Sequence, residues 1–217
     1  SYRQITYWRN SYTLFSHAVQ VTSRSAIAED NLGVALMEMG NPELADPHFR
    51  AAIQIAPRMS IAHYNLATLL HSQNRLDEAK HEYETALSYG SDPTELAQAH
   101  NNLGALHMQL NQAAEAISQF DAAIRINPNK QSSFLGRGSV EYQQGNLDAA
   151  LSDFSRAAQI APSAAASFWI GRILEDKGDF TGASRAYQEA IRLAPDMKEA
   201  RSHLDAVLLK LNSRVVN

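Results

Sequence analysis

The sequence predicts an all-α fold, a solenoid of stacked helical hairpins. Three observations predict it. A set of small and large residues recurs with a period of about 34, in the range of stacked supersecondary repeats. The first copy reads Leu32-Gly33, Leu36, Gly40, Ala45, Phe49, Ala52, Pro57, and the third reads Leu103-Gly104, His107, Asn111, Ala116, Phe120, Ala123, Pro128. Within each copy the apolar residues fall three and four apart, the spacing of an amphipathic helix. Between the two helical stretches of a copy stands a glycine or asparagine, the residues best suited to the left-handed turn that ends a helix.

In chain order, residues 1–25 come first. Ile5, Trp8, Tyr12, Phe15 and Val19 form a stripe expected of one degenerate helix. Repeat one covers 26–59, with Pro47 inside its second helix, where a mild kink is expected. Repeat two covers 60–93. Tyr64, Leu66, Leu69 and Leu70 mark its first helix, and Leu76, Ala79, Tyr83, Ala86 and Leu87 its second, joined through Asn74. Ser91 stands where other copies have proline. Repeat three covers 97–130, preceded by the inserted Thr94-Glu95-Leu96. There Asp92-Pro93-Thr94-Glu95 reads as a capping box, so the helix is expected to start a turn early. Repeats four and five cover 131–163 and 164–197. A last stripe, Ala200, Leu204, Val207, Leu208 and Leu211, predicts a capping helix over 198–213 that closes the apolar face of repeat five.

Missing side-chain volume lets two helix backbones approach closely. Gly33, Ala67, Gly104, Gly138 and Gly171 take one equivalent place on the first helices. Ala45, Ala79, Ala116, Ala150 and Ala183 are expected to face them, with Phe49, Tyr83, Phe120, Phe154 and Tyr187 filling the space alongside. Pro57, Pro128, Pro162 and Pro195 are expected to stop the second helices.

Composition narrows function. A net charge of −4 in 217 residues argues against a nucleic-acid partner, which calls for a basic stripe. There is no cysteine, which excludes disulfides, thiolate metal sites and cysteine nucleophiles. No stretch approaches the ~18 apolar residues of a membrane span and no signal peptide opens the chain, so this segment is not expected to insert in a membrane. The start at Ser1 without methionine fits a piece of something longer. Compartment is left open, between a cytoplasmic protein and the extracytoplasmic domain of a membrane protein.

Catalysis by this segment is not expected. It has no Gly-x-Ser-x-Gly, no phosphate-loop lysine and no Gly-x-Gly-x-x-Gly, and Gly136-Arg137-Gly138 falls mid-helix at the packing position. No cofactor is implied. Eight histidines raise the question of a metal, but His63 and His71 lie eight apart and His100 and His107 seven apart. Helical metal motifs favour spacings of three or four, so packing or surface roles are expected.

The five units resemble the tetratricopeptide repeat, a helix–turn–helix unit of about 34 residues. The resemblance implies a right-handed α-α superhelix whose first helices line a concave groove for a protein or peptide ligand. Carried over position by position, the lining includes Asn31, Tyr64, Asn65, Thr68, Asn101, Asn102, Tyr142, Phe168, Trp169 and Arg172. Asn31, Asn65 and Asn102 share one position and are similar to the asparagine ladder of the nucleocytoplasmic O-linked N-acetylglucosamine transferase array. Side-chain amides both donate and accept, so such a ladder grips an extended backbone; a merely solvated asparagine before Leu-Gly is the other reading. Phe168, Trp169 and Arg172 have the character of binding anchors. Trp169 is open to a second role, packing against the last helix. A carboxylate clamp is not expected, because Arg172 stands nearly alone among Glu38, Glu175 and Asp176.

Three functions follow as expectations. The first is a protein–protein interaction scaffold. The second is the accessory region of a larger enzyme, because the stretch from Tyr7 to Phe15 is similar to the junction in multi-pass membrane glycosyltransferase-like proteins with C-terminal repeats. The third is a spacer that self-associates weakly through its terminal helices, with Leu209 and Val215-Val216 off the packed stripe.

Overall fold

A computed structural model describes residues 11–22 and 24–215. They form twelve helices: α1 (Ser11–Val21), α2 (Ala26–Glu38), α3 (Pro42–Ile55), α4 (Ser60–Ser72), α5 (Leu76–Tyr89), α6 (Pro93–Gln109), α7 (Ala113–Ile126), α8 (Gln131–Gln143), α9 (Leu147–Ile160), α10 (Ala164–Asp176), α11 (Phe180–Leu193) and α12 (Lys198–Val215). Two compact units divide between Leu106 and His107, inside α6. In the first, α1 to α5 pack each on the next; in the second, α7 to α12 do the same.

Local chemistry sets the helix ends. Gly40, Asn74, Asn111, Gly145 and Gly178 all have φ between 57 and 80°. The residue after each donates to the carbonyl five positions back, as Asn41 does to Leu36, Arg75 to Leu70 and Asp179 to Leu174, each at 2.9 Å. That bond belongs to the Schellman turn and satisfies a carbonyl the helix leaves open. Second helices end two residues before proline. Ala56, Asn127, Ala161 and Ala194 precede the prolines with φ from −130 to −154° and positive ψ, the extended backbone that proline imposes on its predecessor. At α6, Oδ1 of Asp92 accepts from the N–H groups of Thr94 (2.8 Å) and Glu95 (3.0 Å), and the helix begins at Pro93 as the capping box predicts.

Glycine meets the aromatic ring directly. A Cβ on Gly33 would lie 2.6 Å from Phe49 Cε1, and one on Gly171 would lie 2.6 Å from Tyr187 Cε1. The sequence expectation put alanine opposite glycine; in these two repeats the ring itself lies against the bare backbone. Phe49, Tyr83, Phe120, Phe154 and Tyr187 are at most 1% exposed. Full burial of one such side chain contributes about 1.5–3 kcal/mol, so these rings and the interleaved alanines dominate the core.

The ends differ from expectation in detail. Tyr12, Phe15 and Val19 lie in α1, whereas Ile5 and Trp8 fall outside the described residues. On α12, Ala200 and Val207 are fully buried, and Leu204, Val207 and Leu211 pack on Ala183 and Tyr187 of α11. Leu208 is 38% exposed and does not belong to that stripe. His203 takes a place on the packed side, stacked on Tyr187.

Candidate functional site

In the first unit, the first-helix residues α2, α4 and α6 carry the asparagines. They do not form a row of like amides. Asn65 turns its Nδ2 onto the carboxylate of Asp30, 2.9 and 3.1 Å from the two oxygens. Asn102 donates to the Tyr64 hydroxyl (3.0 Å) and accepts from Asn101 Nδ2 (3.2 Å). Asn31 is half-buried beside Asp30 and takes no part in either bond. Thr68 gives its hydroxyl proton to the Tyr64 carbonyl (2.9 Å) and accepts from Tyr83 (3.3 Å). Two cross-helix ties therefore stand where the sequence suggested a ladder.

Asp30 sets the polarity of this face. It is 5% exposed, and burial pushes its carboxyl above the ordinary aspartate range; the Asn65 bond opposes that shift and the charge of Glu95 adds to it. An ionised carboxylate only accepts, so Asn65 must present its NH2 inward and its Oδ1 away. Glu95 in turn accepts from Ser60 at 3.2 Å. The partner spacing of 35 residues was the available signal for both pairs, since it joins equivalent helices of successive repeats.

In the second unit, α8 supplies Tyr142, and α10 supplies Phe168, Trp169 and Arg172. The Tyr142 hydroxyl donates to Asp176 Oδ2 (2.7 Å) and accepts from Arg172 Nη2 (3.4 Å). Burial first, and then the Asp176 carboxylate, raise the tyrosine's pKa. Trp169 is half-buried against the preceding repeat. Its ring stacks on Phe154 at 5.9 Å and lies 5.0 Å from Tyr142. Phe168, not Trp169, reaches the last helix, 5.8 Å from His203, and lies 5.9 Å from Tyr187 of α11. Adjacent residues on a helix point about 100° apart, so one faces back and the other forward.

Glu175, which the sequence places beside Arg172, is turned instead toward the next helices. It accepts from Tyr187 (2.9 Å), His203 (3.1 Å) and Lys210 (2.9 Å), tying α10, α11 and α12 together. Burial raises its carboxyl, but those three donors outweigh it and the net shift is downward. The other polar clusters are structural in the same sense. Arg137 spans Asp121 (2.5 Å) and Asp153 (2.6 Å), joining α7, α8 and α9. His63 lies between Glu82 (2.6 Å) and the Pro57 carbonyl (3.0 Å), and His107 bonds Gln112 at 2.7 Å. Among the described residues, no three His, Asp or Glu side chains converge as metal ligands would.

Tetratricopeptide repeat family models match residues 36–103 and, in two overlapping copies, 101–165 and 135–198. The chain belongs to the tetratricopeptide repeat family. As a tetratricopeptide repeat chain it is 27% identical to the type IV pilus assembly protein PilF of Pseudomonas aeruginosa, across 79% of this chain and 68% of that protein. The solved structure of that pilF superposes with a TM-score of 0.78 at 24% identity, covering 87% of this chain and 85% of the other. It is 28% identical to the human protein O-mannosyl-transferase TMTC1 across 87% of this chain, and spans about a quarter of that protein's length (25%). The fold is also that of YrrB, described as a tetratricopeptide repeat protein with an unusual peptide-binding site (TM-score 0.70, 24% identity, 87% of this chain and 96% of the other). These repeats make a scaffold, the architecture of a protein-interaction module.

Proposed function

We propose that the chain holds an extended segment of a protein partner against the first-helix faces of its units. The observation that carries this is the Asp30–Asn65 pair. It fixes a half-buried amide with its carbonyl oxygen turned away from the buried carboxylate, ready to accept a backbone N–H. Asn31 beside it is uncommitted to these ties and offers both donor and acceptor. The second unit offers a face of its own, with Trp169, Phe168 and Arg172 as anchors. YrrB, similar in fold, is described as having a peptide-binding site, which supports the reading.

The test starts with a random peptide library selected on the intact chain. Asn31→Ala and the double change Asn65→Ala, Asn102→Ala are then titrated with the selected peptide, and helicity is followed by circular dichroism. Each lost hydrogen bond is worth about 0.5–1.5 kcal/mol, so the double variant should bind roughly tenfold more weakly. Unchanged affinity in both variants would sink the amide role.

The match to TMTC1, of which the chain spans a quarter, favours a second reading: an accessory region that presents acceptor proteins to a membrane-bound transferase. Among the described residues no helix is long and apolar enough to cross a membrane. Reading the gene upstream of Ser1 decides the matter. A run of transmembrane helices there supports the accessory reading, and its absence removes it.

A further inference from the structure

Among the described residues of the second unit, four cations are matched to carboxylates, while the exposed Arg125, Arg156, Arg185, Lys198 and Arg201 stand in solvent without an ion pair. Arg137 is paired with Asp121 and Asp153, Lys177 with Asp148, Arg192 with Glu189, and Lys210 with Glu175. Arg172 differs. It is half-buried on α10, yet it forms no ion pair with any described residue, and its hydrogen bond is one long contact, 3.4 Å from Nη2 to the Tyr142 hydroxyl.

Carboxylates are close by, but each is committed elsewhere. Asp176 accepts the Tyr142 proton at 2.7 Å. Glu175 holds Tyr187, His203 and Lys210. The guanidinium therefore keeps four of its five N–H donors. Tyr142 takes one Nη2 proton, and whichever it takes, one planar two-donor fork stays open. A fork of that kind fits a carboxylate bidentately. One turn back on the same helix, Trp169 offers an indole held on one face by Phe154. Tyr142 (5.0 Å) and Phe168 (5.6 Å) pack at its sides, and the part of the ring left accessible is apolar surface for a side chain flanking the acid.

We infer that Arg172, with Tyr142 and Trp169, is the receptor for an aspartate or glutamate side chain in the middle of an extended partner segment. This rests on the peptide-binding reading above and adds the chemistry of the residue selected. The carboxylate of the ligand completes the fork that the chain's own acids leave open. Asp176, one turn further along the same helix, offsets part of the arginine's charge, so selection comes from bidentate geometry rather than from a steering field. Binding will consequently weaken only modestly with added salt.

The test uses three peptides on the intact chain: Ac-Ser-Leu-Glu-Leu-Ser-NH2, its glutamine isostere, and Ac-Ser-Leu-Ala-Leu-Ser with a free C-terminal carboxylate. Binding is read from the Trp169 indole N–H and the Arg172 Nε–H in nitrogen-correlated NMR spectra, with Trp169→Phe assigning the indole signal. The glutamate peptide should bind about tenfold more tightly than its isostere, the equivalent of one charge-assisted hydrogen-bond pair. Arg172→Gln should remove that preference by weakening the glutamate peptide about tenfold more than its isostere, and Arg172→Lys should restore part of it. Equal affinities for glutamate and glutamine peptides overturn the acid receptor but leave the peptide scaffold standing. Preference for the free C-terminus overturns the internal acid. Arg172→Gln weakening both peptides alike assigns the arginine to packing and also overturns it. If no peptide moves either signal, the second-unit anchor fails as well, while the amide face of the first unit is judged by its own variants.

Discussion

Gly171→Ala isolates one close helix contact of the second unit. A Cβ there would lie 2.6, 2.7 and 3.0 Å from Cε1, Cδ1 and Cζ of Tyr187. Such distances require the ring or the backbone to move. The ring has little room, since Tyr187 is fully buried and its hydroxyl is tied to Glu175 at 2.9 Å. Overpacking of this kind costs about 1–3 kcal/mol, and alanine returns about 1 kcal/mol of helix propensity over glycine. A net loss of up to about 2 kcal/mol is expected, with thermal midpoints falling roughly 2–4 °C per kcal/mol for a chain of this size. Gly138→Ala is the control. Its nearest contacts, Asp153 Cβ at 3.1 Å and Phe154 at 3.3 Å, ask for only a few tenths of an ångström, so its midpoint should stay within about 1 °C. Ala67, fully buried in the same place of repeat two, shows that the position accepts a methyl when the neighbouring ring is set for it. Thermal unfolding followed at 222 nm measures all three chains. A Gly171→Ala midpoint at or above the parent's would refute the reasoning, because propensity would then have outweighed contact.

Gly145→Ala has open space around its Cβ but a φ of 80°, so it should lose about 1–2 kcal/mol from backbone strain alone, and Gly145→Asn should lose less, as Asn74 and Asn111 already hold this turn. Asp30→Asn should raise the unfolding midpoint at pH 7: the carboxyl is pushed up by burial, so its ionised form is disfavoured in the folded chain and folding improves as pH falls. The advantage over the parent should vanish at acid pH, where Asp30 is protonated; a lower midpoint at pH 7 contradicts the assignment. Glu175→Gln should speed amide hydrogen exchange in α12 at neutral pH, because the ionised carboxylate holds Lys210 and His203. Its pKa is depressed, so this contribution is present above the usual carboxylate range and is lost as pH falls through the folded-state value. Unchanged α12 exchange would remove the clamp.

Helix boundaries were the most legible part of the chain. Proline acts on its predecessor and a left-handed turn selects Gly or Asn, so both read locally, from one or two residues at a time. The Asp92-Pro93 start of α6 was equally local. The site was legible only as a set of positions. That Asn65 faces Asp30 rather than Asn31, and that Asn102 meets Tyr64, depends on how one repeat's helix seats on the next, which no single helix encodes. Phe168 and Trp169 make the same point: the pattern marks both as large and half-exposed, and the tilt of α10 decides which meets α12. Leu208 matched the apolar spacing yet points outward, because a single helix at the end of a stack buries a stripe narrower than a repeat in its middle.

The ties between successive repeats carry a consequence for any guest. Asp30–Asn65, Tyr64–Asn102 and Tyr142–Asp176 each join residues 34 to 38 apart, on neighbouring first helices of the same unit. A guest that takes the Asn65 oxygen or the Arg172 fork leans on a bond that couples one hairpin to the next. Occupancy and the stiffness of the stack are then two readings of a single equilibrium, each raising the other.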